Sequence, residues 1–457
     1  MTQKSERGSL ATTDAAPGLW RVLMAPAHWV ERARGRWRLL LVLGYSIVLL
    51  TGGAWLWRQM SLHGLPDIGD PFDVEAFLKA ADLPDERNAF VLYRQAVAKL
   101  VPWSHGWVPD WRRANPDLRA WVVANRPALD LWLEGTRRPD AVAASPRETT
   151  TQTDMSVIAQ LETLSIPVVL EASRRLDEGD VDGAWHYYLG AVRAGLHRLR
   201  FAGLMQRSAG GGMLSRATMG AQNWANDPRV GADRIRRAIA DLGELRSLEM
   251  RVEDYLRMDY VVLRNTFRSR ADVDQMLAQA AGSIERVWLF QIPAGVMAFI
   301  KREPERSQRI LQHAYTNWIR EIQKPAAARA LFDPRIIFMP PSPAALGVAS
   351  NPAERELPPD RLGEWLDSSL IARVHMPPLA SLVYAGWYDA KLIGDLRMSL
   401  ANRLYRLENG RPPNRMRDLV GKYIDRLPDD YAKRDEVLDA KDAAMAKAIE
   451  ELAKESQ

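Results

Sequence analysis

Nineteen consecutive uncharged residues, Leu39–Trp57 (LLLVLGYSIVLLTGGAWLW), constrain this chain more than any other stretch. At about 1.5 Å per residue, such a helix matches a hydrocarbon core of about 30 Å. Arg36, Trp37 and Arg38 bound it on one side, and Trp55, Trp57 and Arg58 on the other. Indoles and guanidinium groups of this kind prefer the headgroup layer, so these six residues are the expected membrane interface.

Charge sets the expected orientation. Lys4, Arg7, Arg21, Arg32, Arg34, Arg36 and Arg38 precede the span against Glu6, Asp14 and Glu31, whereas Asp67, Asp70, Asp73 and Glu75 follow it. The basic flank should stay inside the cytoplasmic (inner) membrane, putting the bulk of the chain on the extracytoplasmic side. A cleaved leader ending near Gly52-Gly53-Ala54 is the competing reading. Its basic region and its apolar stretch are both longer than such leaders carry.

The net charge of +5 lies in the same region. Residues 1–58 hold eight Lys/Arg and three Asp/Glu; removing them from 62 and 57 leaves 54 of each sign beyond. A phosphate-binding surface needs a concentrated positive field, so no nucleic-acid partner is expected. Membrane lipid explains the basic flank. Without cysteine, disulfides, thiolate metal sites and thiol nucleophiles are excluded. The seven histidines show no ligand spacing, and no cofactor, metal or catalytic residue is assigned.

Helical periodicity dominates the rest, so the expected fold is all-α: one transmembrane helix followed by a large multi-helix ectodomain. A basic tail (1–38) and the span (39–57) lead into a linker (58–71). A helical domain (72–332) and a proline-rich connection (333–360) come next. A C-terminal helical segment (361–428) and a charged helical tail (429–457) complete the expected organisation.

Residues 176–191 read Leu-x-x-Gly-Asp-x-x-Gly-Ala-Trp-x-x-Tyr-x-x-Ala, similar to half of a tetratricopeptide helix hairpin. Gly179-Asp180 would turn the chain, and Ala184, Tyr188 and Ala191 would form the packing face. Ala89, Tyr93 and Ala96 repeat the spacing, but too far away for a tandem array. Three longer passages are AWVVANRPALDLWLEGTRRPD (120–140), Leu170–Leu196, and LANRLYRLENGRPPNRMRDLVGKYIDRLP (400–428). Together they resemble a broad group of uncharacterised, membrane-anchored helical proteins of planctomycete-type bacteria. That resemblance implies an anchored helical ectodomain and no known activity. In the last passage, Leu404 and Tyr405 should pack inward, Asn409-Gly410 should reverse the chain, and Leu419 and Tyr423 should fold back. After Pro428 this chain departs from the group, continuing into a charged helix instead of an Asp-Pro-Phe-Gly-like segment.

Three functional readings remain open on the sequence. The first is a scaffold or protein-interaction module that binds a protein partner at the membrane surface. A hydrolase or lyase is the second, using carboxylates near Glu253–Asp259, although Glu253 faces Arg257 at the spacing of an ordinary helix ion pair. The third is an envelope- or carbohydrate-binding protein using the Trp103–Trp132 cluster, with Trp103, Trp107 and Trp111 as candidate ligand contacts.

Overall fold

A computed structural model describes residues 34–102, 108, 110–208, 212–283, 294–325, 328–329, 363–366, 369–377, 379–428, 431–432, 435–441 and 443–445. Among them no strand forms; extended pairing is confined to two isolated bridges, Asn88 with Asp140 and Val420 with Ile424. The architecture is all-α.

The apolar stretch lies in a helix of 25 residues, Arg36–Met60, none of them buried. Among the described residues it is the one helix long and apolar enough to cross a membrane, with a mean hydropathy of 2.0. The residues expected to be a linker are tied down. Leu65 is fully buried beside Ile310, Leu366 and Ala372. Arg309 donates to the Leu65 carbonyl at 2.8 Å, and the His313 ring bonds the Pro66 carbonyl at 3.0 Å. The chain leaving the apolar helix is thus fastened to the Glu303–Gln323 helix.

Two apolar centres organise the remainder. The larger gathers the helices Ala89–Ala98, Arg126–Thr136, Ser156–Asp177, Val181–Leu199, Gly212–Asn226 and Ala232–Glu244. Local signals place their ends. Asn88 caps the first by accepting from Phe90 N–H, and Asp180 caps Val181–Leu199 by accepting from Gly183 N–H. Gly179 takes φ +93°, so the expected turn forms, and Ala184, Tyr188 and Ala191 are all buried. Trp185 stacks on Trp224 at 4.6 Å, and the Trp224 indole donates to the Val181 carbonyl at 2.9 Å. The second centre holds Val74, Leu78, the apolar faces of Val252–Arg268 and Glu303–Gln323, and Ile371.

One helix joins them. Leu379–Asn409 runs for 31 residues, about 46 Å. Leu379 and Leu382 belong to the second centre, whereas Ile393, Leu396, Leu400, Ala401 and Leu404 belong to the first. The long helix therefore contributes to both centres. It stops at Gly410, whose φ of +70° lets its N–H reach the Arg406 carbonyl at 2.9 Å. The chain then folds back as expected, burying Leu419 and Tyr423, with the Tyr423 ring 5.7 Å from that of Tyr405.

Candidate functional site

The long helix leaves one face outside both centres. Residues 384, 387, 388, 391, 394 and 395 share it by helical spacing. Tyr384, Trp387 and Tyr388 are 63 %, 42 % and 38 % exposed. The Tyr384 ring lies 5.6 Å from that of Trp387 and 6.3 Å from that of Tyr388, the latter stacked. This aromatic row runs into a cleft of about 670 Å³. Its walls are Lys391, Asp395 and Met398 of the helix, Arg246 and Glu249 of a neighbouring turn, and Ile424–Pro428 of the returning segment. The reversal at Gly410 creates the cleft, because it lays Pro428 against Gly394.

Charged groups line the cleft in opposite pairs. Lys391 reaches Asp395 at 2.7 Å, and the Tyr431 hydroxyl donates to the same carboxylate at 3.0 Å. Arg397 pairs with Glu249 at 2.5 Å and also donates to the Leu242 carbonyl. Arg246 meets Asp425 at 2.5 Å. Such a surface presents aromatic area and alternating charge.

The sequence candidates fall elsewhere. Glu253 pairs with Arg257, and Asp254 contacts both Arg251 and Arg257. Asp259 points the other way, into the protein, where it accepts from the Tyr315 hydroxyl and from Leu204 N–H. Burial pushes its carboxyl above the usual range, against the opposing pull of those hydrogen bonds. The three carboxylates do not converge. A cavity beside Asp259, lined also by His375 and Gln206, holds about 80 Å³, room for a few waters.

Trp103 and Trp107 lie outside the described residues. Trp111 is half-buried beside Leu118 and Trp121, with the Arg119 guanidinium 5.2 Å from its ring. Trp121 and Trp132 are core residues. Of the six interface candidates, Arg36, Trp37 and Arg38 sit at one end of the apolar helix, and Trp55, Trp57 and Arg58 at the other. Among the described residues, no group of three or more His, Cys, Asp or Glu could hold a metal ion.

Sequence reasoning missed the aromatic row. Its signal is present in Tyr384-Ala-Gly-Trp-Tyr, aromatic at i, i+3 and i+4. The same spacing marks a buried helix face, and only the packing of the other faces tells the two apart. Compared with known proteins, the chain matches no family model, no curated protein and no solved structure.

Proposed function

We propose that this protein is a single-pass, membrane-anchored scaffold whose long helix docks a protein partner outside the cytoplasmic membrane. The anchor is Arg36–Met60, with the basic flank inside. The partner lies along Tyr384, Trp387 and Tyr388 and enters the cleft below them. The carrying observation is that row of three exposed aromatic rings on a helix that closes two apolar centres with its other faces. Aromatic side chains are the residues that dominate binding energy at protein interfaces, and a contiguous exposed group of them marks such a site. The paired charges around the cleft supply a polar rim, which selects a partner carrying both signs.

Photo-crosslinking in native membranes tests this. A benzophenone side chain replacing Trp387 should give one discrete adduct, identified by mass spectrometry, whereas the same probe at Met219 should give none. Adding Tyr384→Ser and Tyr388→Ser should weaken that adduct. Folded, membrane-bound protein that yields no adduct at 387 would overturn the reading.

A further inference from the structure

The apolar helix does not stand alone. A second helix, Ala294–Lys301 (AGVMAFIK), lies against its end: the Arg58 guanidinium sits 4.1 Å from the centre of the Phe299 ring and donates to the Phe299 carbonyl. Arg58 is ten residues beyond Val48, the middle of the uncharged stretch. Ten residues of helix rise about 15 Å, half of a hydrocarbon core of about 30 Å. Phe299 thus stands at the level where acyl chains meet headgroups.

The second helix is held from behind. Ala298 is buried in the second apolar centre, which prevents the helix from turning its outer face inward. That outer face shows Val296 at 46 % and Phe299 at 65 % exposure, and Trp57 and Met60 at the adjoining end of the apolar helix are exposed as well. The sequence from Val287 to Ile300 carries no charge. The helix Ala294–Lys301 rises about 12 Å, too short to span a bilayer. Lys301 and Arg302 follow at once, Arg302 paired with Glu305.

We infer that Val296 and Phe299 form a second membrane contact, inserted beside the span into the leaflet on the ectodomain side. The inference rests on the anchor reading above. With two contacts instead of one, the body is held at a set angle to the membrane and does not swing on a tether.

The absence of cysteine makes the test direct. Full-length single-cysteine variants Val296→Cys, Phe299→Cys, Leu49→Cys and Met219→Cys are labelled with an environment-sensitive fluorophore. They are then reconstituted into phosphatidylcholine–phosphatidylglycerol vesicles. Nitroxide lipids carry the quencher either near the headgroup or deep in the chain. Labels at 296 and 299 should lose emission, more with the shallow quencher than with the deep one. The label at 49 should be quenched most by the deep quencher, and that at 219 by neither. Quenching at 49 without quenching at 296 or 299 overturns the inference and leaves the anchor standing. In that case, a disulfide-linked dimer formed on oxidising the unlabelled Phe299→Cys variant would assign the face to a second copy of the chain. Without quenching at 49 the anchor itself fails, and this inference falls with it.

Discussion

Arg207 donates to the Asp389 carboxylate at 2.5 Å, across 182 positions of sequence. Both side chains are largely removed from solvent, and the guanidinium also lies 3.5 Å from the centre of the Tyr255 ring. This pair sits where the long helix passes from one apolar centre to the other. Removing the anion strands a buried cation, next to the equally buried Arg198. Asp389→Asn should therefore lower stability by about 3–5 kcal/mol in urea unfolding. The double variant Arg207→Met, Asp389→Leu should recover most of that loss. Equal instability of the single and double variants would refute the assignment.

A buried imidazole gives the stability a pH dependence of known sign. The His197 Nδ1 bonds the Tyr93 hydroxyl at 2.9 Å, and burial, with Arg193 and Arg200 nearby, lowers its pKa to about 3. In the unfolded chain the same ring titrates near 6.5, so between these values the unfolded state holds the extra proton. The contribution is complete above about pH 6.5 and is lost on acidification toward about 3. One proton sets a slope of about 1.4 kcal/mol per pH unit at most. His197→Gln should flatten the measured profile by up to that amount over this window.

Exposed and buried tryptophans should separate cleanly. Trp224 is fully buried, stacked on Trp185 and hydrogen-bonded to Val181, so Trp224→Ala should cost about 3–5 kcal/mol. Trp387 has water on much of its surface, so Trp387→Ala should cost about 1 kcal/mol or less. Thermal unfolding of the two variants checks the contrast. A large loss at 387 would mean that the ring is there for folding instead of recognition.

Topology is open to the same cysteine chemistry. With the basic flank inside, Ser9→Cys should resist a membrane-impermeant maleimide in spheroplasts, and Glu436→Cys should react. The reverse pattern would invert the orientation, and labelling of both without lysis would remove the anchor.

Much of this fold is written locally in the chain. Gly179-Asp180 and Asn409-Gly410 announce their turns because each needs one positive φ or one capping carboxylate, a property of a few adjacent residues. Glu253 and Arg257 announce their pair for the same reason. The features that sequence reading missed depend on distant partners. Nothing near Tyr384 says that Leu382 and Leu396 face inward and the aromatic rings outward. Arg207 reads as one more surface cation until Asp389 and Tyr255 are brought to it. The bonds that fasten Leu65 and Pro66 are hidden similarly, since their partners Arg309 and His313 lie some 240 residues away.

The long helix also dictates a timetable. The helices Gly212–Asn226 and Ala232–Glu244 leave the ribosome well before the residues that cover them, Ile393–Leu404, exist. At about 5–20 residues per second, the gap between Leu248 and Ile393 takes roughly 7–30 s to synthesise. Throughout that interval the growing chain shows water an apolar surface that nothing of its own can yet cover. Truncations before Leu404 should therefore aggregate where the full-length chain does not.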